Sequence, residues 1–467
     1  MKKLISLSFA LIACGDNNGT QVTPDSTPLD PDAAPFVAPT PVAVPIATAG
    51  TDQLLGAVAA SSGGFYAVGF RAATHEATAD RETVLVKIDG MGKLDTSFSG
   101  DGIASINVQT GGAGETFRGI VLQPNGKIVV SGIVEDEAIA ADRDVALVRF
   151  NTDGTPDTTF GTAGIVRLDL NAALGTMGAD ATWGLVTDAS GRIYVHAAQR
   201  TATLDASNAD TLTDTDFVIV RLAAADGAVD TTFATLGKFT LDIQRSSANV
   251  RSIHILGDGS ILASGYAGST STGNTLQPVI YKLTPGGVLD AGFASGGLFH
   301  EIVLTMQTEV YGMAIQPDGK IVTAGYGRNA GAASNDWISL RLTPSGVLDT
   351  TWANQGKYLL DPTGTNDGDN CRNVIALPGG RTALFGSGGP TNMTSDAYIV
   401  ILDSTGKPDT AFGTGIMKFE LGSNDALFGG AAATNGMRAM FTGFRGGGAT
   451  PSPSSNDDSY VVSLSLP

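Results

Sequence analysis

The stretch DGTPDTTFG, residues 153–161, recurs along the chain in variant forms and decides the fold. Six copies are variants of the pattern Gly-x-Leu-Asp-x-x-Phe-Gly, and their aspartates are 62, 73, 60, 59 and 60 residues apart. These aspartates are Asp95, Asp157, Asp230, Asp290, Asp349 and Asp409. A fixed period of this length is typical of a ring or array of identical structural units. The repeat therefore predicts one repetitive architecture for the 467 residues, although that length would also allow two or three ordinary domains.

Each unit contains four short apolar runs, which we interpret as strands. In the second unit they are residues 117–123, 128–132, 144–150 and 164–170, with a hairpin-type turn at residues 124–127. The second run follows a glycine in seven units: Gly63, Gly126, Gly191, Gly259, Gly319, Gly380 and Gly436. A single blade cannot bury both of its faces. Seven such units therefore predict an all-β, seven-bladed β-propeller of four-stranded antiparallel blades.

The two ends of the repeat region predict how the ring closes. The seventh unit ends after its third strand, residues 458–464, and an unassigned strand-like run at residues 40–47 precedes the first unit. We expect this N-terminal run to pair with residues 460–464 as the missing fourth strand, which would leave only short sheet edges. Eight blades or an open solenoid are the alternatives.

The order of strands within a blade follows from side-chain size. The strand before each hairpin turn carries small residues: Gly56, Gly119, Gly184, Gly312, Gly429 and Gly430. Strands nearest a propeller axis are crowded, so we expect these strands to be innermost and the fourth strands outermost. This order is similar to that of kelch propellers, whose second strand also ends in glycine.

The repeat resembles the delta-60 repeat family of secreted and surface proteins. Residues 318–321 (DGKI), Arg341-Leu342 and residues 346–349 (GVLD) carry the likeness, which covers residues 40–467. The chain departs from the pattern where Trp352 replaces the phenylalanine and Ile401 replaces a basic residue, and the seventh unit lacks the aspartate motif. The resemblance implies a propeller-like fold and no particular chemistry.

A basic residue ends the third strand in five units, eight or nine positions before the repeat aspartate. These residues are Lys87, Arg149, Arg221, Lys282 and Arg341. Because the pair recurs from blade to blade, we expect a structural role in which each aspartate caps its own turn and pairs with the cation. A metal ion at each aspartate is the alternative.

The aromatic residue of each motif is expected to be a wedge between adjacent blades. The phenylalanines are Phe98, Phe160, Phe233, Phe293 and Phe412.

The first residues indicate export. A basic start, Met1-Lys2-Lys3, precedes the apolar run 4–13, which is too short to span a bilayer and suits a signal peptide. Residues 11–14, LIAC, resemble the lipobox of bacterial lipoproteins, which implies acylation of Cys14 after removal of residues 1–13. Residues 14–39 are rich in Pro, Asp and Thr and are expected to form a disordered tether. The alternative is an ordinary signal peptide with a chance cysteine.

These features predict a cell-envelope protein, anchored by lipid to a bacterial membrane, with the outer membrane or cell surface favoured. Cys371 is the only other cysteine and is expected to be buried and inert. The net charge of −18 argues against nucleic acid as a partner, because binding phosphate needs clustered Lys and Arg. We expect a monomer with a solvated acidic surface and no cofactor, with bound calcium as the alternative interpretation of the carboxylates.

Loops of variable length should share one face of the ring, whereas the short turns and aspartate motifs share the other. Variation on a uniform scaffold is where binding specificity usually lies. The candidate binding residues on this variable-loop face are Glu135, Asp136, Asp142, Asp205, Asp210, Asp214, Asp367 and Asp369. Residues 366–370 faintly resemble a calcium loop but lack the closing glutamate.

Catalytic motifs are absent from the sequence. The four histidines, His75, His196, His254 and His300, lie in different units without metal-ligand spacing. The leading hypothesis is a non-enzymatic propeller that binds a protein, another macromolecule or a glycan through the variable-loop face. A purely structural surface protein is the second, and a hydrolase or lyase with a site at the central channel is the third. Titratable residues converging on the axis would favour the third.

Overall fold

Short β-strands account for nearly all the regular structure in this protein. The structure, a computed structural model, describes residues 36–46, 50–61, 63–74, 79–111, 114–135, 143–171, 180–200, 215–243, 247–268, 275–364, 368–389, 394–422, 424–433, 435–446 and 458–467. All of them belong to one compact unit, Phe36–Pro467. Within these residues the helical elements are two 3₁₀ turns, at Pro378–Gly380 and Thr410–Phe412. None of the described segments forms a helix with the length and apolar character needed to cross a membrane.

The blades are numbered in chain order, and the strands of each run from the inside of the ring outward. Blade 1 contains β2 (Asp52–Ala59), β3 (Phe65–Ala72), β4 (Arg81–Ile88) and β5 (Ile103–Ile106). Blade 2 contains β6 (Thr116–Leu122), β7 (Ile128–Glu135), β8 (Arg143–Phe150) and β9 (Ile165–Leu168). Blade 3 contains β10 (Ala181–Thr187), β11 (Ile193–Arg200), β12 (Thr215–Leu222) and β13 (Lys238–Leu241). Blade 4 contains β14 (Asn249–Ile255), β15 (Ile261–Ala267), β16 (Gln277–Leu283) and β17 (Leu298–Phe299).

The remaining blades follow the same plan. Blade 5 contains β18 (Gln307–Ile315), β19 (Ile321–Arg328), β20 (Asp336–Leu342) and β21 (Lys357–Leu360). Blade 6 contains β22 (Asn370–Ala376), β23 (Thr382–Gly388), β24 (Asp396–Leu402) and β25 (Ile416–Phe419). Blade 7 contains β26 (Ala426–Ala432), β27 (Arg438–Arg445), β28 (Asp458–Ser465) and β1 (Val42–Ala43). The predicted seven-bladed propeller of four-stranded antiparallel sheets is confirmed.

The N-terminal strand closes the ring, as predicted. In register, Val42 pairs with Val461 and Ala43 with Tyr460, and the Val44 amide donates to the Ser459 carbonyl at 2.9 Å. The strand is shorter than expected, since of the described residues in the run 40–47 only the two that pair have strand geometry. The last blade therefore takes its outermost strand from the start of the propeller.

The hydrophobic cores lie between the blades. Seven clusters of buried side chains are present among the described residues, and each draws on two neighbouring sheets. Phe160, for example, lies in one cluster with Leu147 of blade 2 and Val195 of blade 3. Six of the clusters contain a motif aromatic that is at most 2% exposed: Phe98, Phe160, Phe233, Phe293, Trp352 or Phe412.

Glycines in the turns of the next blade allow this close packing. A Cβ atom on Gly154 would lie 3.0 Å from Cζ of Phe98, and one on Gly287 would lie 2.7 Å from Cε2 of Phe233. Both glycines have positive φ angles, of 92° and 86°, which side-chain-bearing residues rarely adopt. In both cases a turn of one blade, at its glycine, therefore packs directly against the aromatic ring of the preceding blade.

The seam between blades 7 and 1 is built differently, because the seventh unit has no aromatic motif. Val44 and Ile46, which follow the closing strand, are buried in the core of this seam. A Cβ atom on Gly92 would lie 2.9 Å from Cγ2 of Val461 and 3.3 Å from Cβ of Val42. The N-terminal segment thus occupies the place that the aromatic side chain has at the other six seams.

Replacing Phe160 with alanine should lower the thermal stability of the propeller. The ring is fully buried between blades 2 and 3, and truncation of such a side chain costs roughly 3–5 kcal/mol in unfolding free energy. Val288→Ala is a matched control, because Val288 is 64% exposed and its truncation should change stability by less than about 0.5 kcal/mol. Thermal and denaturant unfolding of both variants measure the difference, and equal melting curves would contradict a wedge role.

Candidate functional site

The repeat aspartates form ion pairs within their own blades. Asp157 Oδ2 lies 2.6 Å from Arg149 Nε, and its Oδ1 accepts a hydrogen bond of 2.7 Å from the Thr159 hydroxyl. The equivalent pairs are Lys87–Asp95 at 2.8 Å, Arg221–Asp230 at 2.9 Å, Lys282–Asp290 at 3.0 Å and Arg341–Asp349 at 2.9 Å. Lys87 and the Ser97 hydroxyl lower the pKa of Asp95 to about 2. These groups satisfy one another and hold the turns in place.

In blade 6 the cation comes from a different strand. Ile401 occupies the usual basic position, and Asp409 pairs instead with Arg381 at 2.6 Å. Arg381 directly precedes the second strand of its blade, as Lys127 does in blade 2, where Lys127 Nζ lies 2.6 Å from Asp157. The position before the second strand is therefore an alternative source of positive charge for the same aspartate.

Most of the carboxylates predicted to form the binding face lie outside the described residues. These are Asp136, Asp142, Asp205, Asp210, Asp214 and Asp367, and Cys14, His75 and residues 1–35 also lie outside them. Glu135 ends β7 and lies 3.8 Å from Arg143. Asp369 is fully buried, and its Oδ1 accepts a hydrogen bond of 3.1 Å from the Gly389 amide.

Burial keeps the three described histidines neutral. His196 is fully buried with Nε2 2.9 Å from the Tyr281 hydroxyl, and burial lowers its pKa to about 3. His254 Nε2 lies 2.8 Å from the Met313 carbonyl, and burial lowers its pKa too. Burial also lowers the pKa of His300. All three therefore carry no charge near pH 7.

Buried polar side chains connect the blades near the start of six inner strands. They are Asp52, Glu115, Asp180, Thr308, Asp369 and Asp425. Asp180, for example, accepts hydrogen bonds of 2.7 Å from the Leu170 amide and from the Asn171 side chain, which precede it in the link between blades. These groups satisfy backbone donors that would otherwise be buried without a partner.

Two of these carboxylates belong to acidic clusters. Asp180 groups with Asp144 and Asp169, and Asp369 groups with Asp336 and Asp361, with oxygens within 4.8 Å of one another. Burial, and then the charges of Asp169 and Asp144, raise the pKa of Asp180 to about 7. The hydrogen bonds of Asp180 already account for its position, so we assign no cation to this cluster.

A channel runs along the axis of the ring, and the first strand of every blade lines it. This confirms the innermost position predicted for the strands with small residues. A Cβ atom on Gly184 would lie 2.5 Å from the Arg251 carbonyl, and one on Gly429 would lie 2.9 Å from Cα of Gly56. Neighbouring inner strands therefore approach too closely for side chains at these positions.

Every inner strand also contains a β-bulge at the same place. In β6, Phe117 pairs with Gly132 and Gly119 with Ser131, so Arg118 is the extra residue. The bulged segments of the seven strands contain, in blade order, Leu55, Arg118, Trp183, Arg251, Tyr311, Arg372 and Phe428. A bulge re-aims a side chain and is common beside functional sites. We call these seven residues the axial ring.

Glycines in the second strands make room for the bulges. In six blades, the second-strand residue that pairs with the position just before the ring residue is a glycine. These glycines are Gly69, Gly132, Gly265, Gly325, Gly386 and Gly443. A Cβ atom on Gly325 would clash with the Glu309 carbonyl, and the other five would clash with the equivalent carbonyls. The recurrent glycine near the end of the second strand is therefore explained by the bulge opposite it.

Arginines and aromatic rings of the axial ring stack against one another. The guanidinium carbon of Arg118 lies 3.9 Å from the centroid of the Trp183 ring. That of Arg251 lies 4.3 Å from the Trp183 centroid and 4.1 Å from the Tyr311 centroid. Cation–π contacts of this kind hold a guanidinium in place without neutralising its charge.

The third arginine extends this arrangement. The guanidinium carbon of Arg372 lies 5.2 Å from the ring centroids of both Tyr311 and Phe428. Among the described residues, no carboxylate forms an ion pair with Arg118, Arg251 or Arg372. Burial, and then the charges of Arg251 and Arg372, lower the pKa of Arg118 to about 9. The axis of an acidic protein thus carries a local concentration of positive charge.

A group of hydroxyls and one carboxylate adjoins the ring at blades 4 and 5. The Tyr311 hydroxyl lies 2.9 Å from that of Tyr326 and 3.3 Å from that of Tyr266, which receives a hydrogen bond of 3.0 Å from Arg251. Glu309 precedes Tyr311 by two residues and is 6% exposed. We call Tyr266, Glu309, Tyr311 and Tyr326 the tyrosine–glutamate cluster.

Glu309 lies among several hydrogen-bond donors. Its Oε1 accepts a hydrogen bond of 2.9 Å from the Gln307 side chain, and the hydroxyls of Tyr266, Tyr311 and Tyr326 lie close to the carboxylate. Burial raises the pKa of Glu309, and the nearby tyrosine hydroxyls and Arg251 oppose this change. The cluster therefore holds a buried carboxylate among tyrosine hydroxyls beside Arg251.

The channel holds a cavity of about 380 Å³ next to the ring. Its wall includes Arg118, Trp183, Arg251 and Tyr311, and it continues along apolar residues such as Ile253. Ligand pockets typically have volumes of about 300–1,000 Å³ and combine apolar walls with a few convergent polar groups. The cavity thus has the size and character of a small-ligand site.

The axial ring was not predicted from the sequence, although a signal for it was present. In five blades the ring residue directly precedes a glycine already recognised as innermost, as Arg118 precedes Gly119 and Trp183 precedes Gly184. Aligning the residues that precede these glycines would have shown that Arg118 and Trp183 occupy equivalent positions in neighbouring blades. The sequence did not reveal the β-bulge, which turns the residue at this position towards the channel.

Three segments of the chain match the sequence family described as "Domain of unknown function (DUF5122) beta-propeller". The segments are residues 123–160, 256–293 and 316–351, which run from the first turn to the aspartate motif in blades 2, 4 and 5. They cover well under half of the chain, and they support its assignment to the β-propellers. No curated protein matches the sequence.

Several solved structures are similar to this chain at low sequence identity. A polysaccharide lyase, Uly1, has 9% identity and a TM-score of 0.48, with 95% of each chain covered. A protein of unknown function from Dyadobacter fermentans has 12% identity and a TM-score of 0.44, covering 75% of this chain and 94% of that one. NanB sialidase from Streptococcus pneumoniae has 10% identity and a TM-score of 0.43, covering 92% and 94%. Similarities this weak do not indicate an activity.

Asp180 should make the stability of the propeller fall as the pH rises. Its pKa is about 7 when folded against 3.8 as the ordinary value, so the folded state binds the proton more tightly. This contribution is fully present below pH 3.8, declines above it and is lost once the pH passes about 7. Asp180→Asn should therefore flatten the decline in unfolding free energy between about pH 4 and pH 7.

Denaturant unfolding in the presence of a chelator measures this effect. Asp226→Asn is the control, because Asp226 is exposed in a turn and should leave the slope unchanged. An unaltered pH slope in Asp180→Asn would contradict the predicted proton uptake.

Proposed function

We propose that this propeller is a binding protein that takes the anionic group of a ligand at its axial ring. The observation that carries the proposal is the set of three arginines on the axis without ion-pair partners among the described residues. Like charges this close raise the free energy of the site, and an anion bound between them would relieve that repulsion. Guanidinium groups also suit carboxylate, sulfate and phosphate, because they offer a planar fork of N–H donors.

The stacking of the arginines supports binding over a purely packing role. Arg251 is 7% exposed and is held between Trp183 and Tyr311, so little side-chain entropy remains to be lost on binding. Arg118 and Arg372 are half-buried and lie beside the same aromatic rings. A site whose donors are already oriented binds more tightly than one that must be ordered by its ligand.

The ligand is proposed to enter from the variable-loop face. Six of the seven ring residues lie in the first half of their inner strands, on the side of the link to the preceding blade, and Tyr311 lies at the middle of β18. These links belong to the face on which the candidate binding loops were predicted. A ligand entering there would meet the loops first and the arginines next, so a protein or glycan could be recognised by both.

The overall charge limits the kind of anion that would bind. A net charge of −18 repels long polyanions from a distance, whereas the ring attracts charge only at short range. We therefore favour a ligand that presents one or a few anionic groups at its end. A glycan with an acidic terminal residue meets this condition.

A hydrolase or lyase acting at the channel is the second candidate function. The tyrosine–glutamate cluster favours it, because titratable groups converge beside the axis there. Tyr311 lies next to Arg251, whose charge lowers the pKa of its hydroxyl against the opposing effect of burial. Incubating the protein with acidic oligosaccharides and analysing the products by chromatography separates turnover from binding.

The proposal also includes attachment to a bacterial membrane through Cys14. The lipobox-like residues 11–14 support it, together with the polar segment that separates them from the first described residue. Several acyl chains, at about 0.8 kcal/mol per buried CH₂ group, would hold the protein on the membrane.

Neutralising the ring should weaken anion binding. Arg118→Met and Arg372→Met remove the charges and keep long side chains, and each should raise the Kd for glucuronate by about 10–100-fold, the loss expected for one charged hydrogen bond. Arg445→Met is the control, because Arg445 is an exposed residue paired with Asp458 at 2.8 Å. Calorimetric titration at low and high salt measures the change, and equal affinities in all variants would contradict the proposed site.

Cys14→Ala should release the protein from the membrane. Expressed in a bacterial host, the unaltered chain should fractionate with membranes and require detergent for extraction, whereas the variant should be found in the soluble fraction. Immunoblotting of the two fractions gives the distribution. Recovery of the variant with the membranes would rule out anchoring through this residue.

A further inference from the structure

We infer that the propeller lies with its turn face against the lipid surface to which Cys14 attaches the chain. The turn face is formed by the hairpin turns between first and second strands and by the aspartate-motif loops between third and fourth strands. The inference rests on the attachment through Cys14 proposed above and adds which surface of the propeller meets the membrane. The place where the described chain begins carries it, together with the distribution of exposed apolar side chains.

The described chain begins on the turn face. β28 ends there, since the Leu466 amide just beyond it donates to the Met437 carbonyl of a hairpin turn at 2.9 Å. β1 is antiparallel to β28, so the residues before β1 lie on the same side. Phe36 packs against Phe412 of the blade 6 aspartate motif, with ring centroids 5.6 Å apart and ring planes at 71°. The chain that leads to Cys14 therefore joins the propeller at the turn face.

The length of this connection limits the distance between the propeller and the lipid. Cys14 precedes Phe36 by 22 residues. A segment of that length spans at most about 75 Å. Tethering at short range makes the local concentration of the two surfaces high, so a weak contact is enough to orient the protein.

Exposed apolar side chains are concentrated on the turn face, and one group of them lies on blades 3 to 5. Its members are between 42% and 76% exposed: Val229, Leu236, Val288 and Val347. The loops that carry them adjoin one another. The Ala234 amide of blade 3 donates to the Gly286 carbonyl of blade 4 at 3.0 Å, and the Ala294 amide of blade 4 donates to the Ser345 carbonyl of blade 5 at 2.7 Å. The group therefore follows the ring across three consecutive blades.

A second group lies near the seam between blades 7 and 1, which is opposite blade 4 in a ring of seven. Met91 and Met437 are each 61% exposed, and Val37 is 81% exposed. The Arg438 side chain donates to the Gly90 carbonyl at 3.2 Å, which joins the turns that carry the two methionines. Apolar residues thus protrude on opposite sides of the same face. A flat lipid surface can contact both groups at once, whereas a globular partner needs one contiguous patch.

The chemistry of the face suits the boundary between lipid headgroups and acyl chains. The motif position that carries Val288 and Val347 in blades 4 and 5 carries Lys93 and Lys407 in blades 1 and 6, and both lysines are exposed. Apolar side chains can enter this boundary, and lysines can reach lipid phosphates. The net charge of −18 opposes attraction to an anionic membrane, so the contact orients the anchored protein but does not hold it there alone.

This orientation turns the variable-loop face away from the membrane. The axial ring lies towards that face, so its arginines would be open to ligands that arrive from solution. Attachment and ligand binding would therefore use opposite faces of the ring.

Site-specific labels on the acylated full-length protein test the orientation. Cys371 is fully buried, so a cysteine introduced at the surface can be labelled alone once Cys14 is acylated. Val288→Cys places a fluorophore on the turn face, and Ile302→Cys is the matched control in the link between blades 4 and 5, on the variable-loop face. In vesicles of phosphatidylethanolamine and phosphatidylglycerol, lipids with a nitroxide on the headgroup should quench the label at position 288 several-fold more than the label at position 302.

A second substitution tests the apolar contact itself. Val347→Asp should reduce the quenching at position 288, because taking a charge out of water at the lipid boundary costs free energy. Met306→Asp is the matched control, since Met306 is also exposed but lies in the link on the other face. It should leave the quenching unchanged.

Equal quenching at positions 288 and 302, or stronger quenching at 302, would overturn the orientation and leave the anchor intact. Emission from the label at 288 that changes with protein concentration in detergent, without vesicles, would also overturn it, because a second copy would then cover the turn face. An acylated protein that stays in solution would instead overturn the proposed attachment, and this inference with it.

Discussion

Seven inner strands share one axis, and the little space around that axis constrains the rest of the structure. Gly184 and Gly429 lie so near a neighbouring strand that a Cβ atom would meet its backbone. A bulge in each inner strand turns one residue per blade towards the axis, beside channel-wall residues such as Ile253. The seven residues of the axial ring are therefore brought together by the closed ring.

The packing between blades follows from the same geometry. Because each sheet is covered by the next, the hydrophobic cores lie at the seams, and an aromatic side chain fills six of them. Turn glycines let the next blade approach these rings. At the remaining seam the N-terminal segment, with Val44 and Ile46, fills the same space. Stability and ring closure therefore both depend on apolar packing at the seams between blades. The motif aromatic provides it at six seams, and the N-terminal segment provides it at the seventh.

Much of the fold could be predicted from the sequence, because it follows from residues that recur. The spacing of Asp157 and its equivalents predicted the repeat, and the small residues near Gly119 predicted the innermost strand. The use of Arg381 in place of Ile401 could not be foreseen, because the cation lies on another strand. The axial ring was missed for a related reason: Arg118, Arg251 and Arg372 are far apart in the chain and meet only through the closed ring.

The pairing of β1 with β28 has a consequence for how the protein is made. During synthesis the first six blades can form in order, since each receives all four strands from a continuous piece of chain. Blade 7 cannot be completed until β28 has emerged to meet a segment that was made before blade 1. Until then one side of blade 1 and one side of blade 7 are uncovered, and such surfaces invite aggregation. The open side of blade 1 lasts until β28 meets β1, so the time needed to synthesise blades 2 to 7 sets how long the nascent protein is exposed to this hazard.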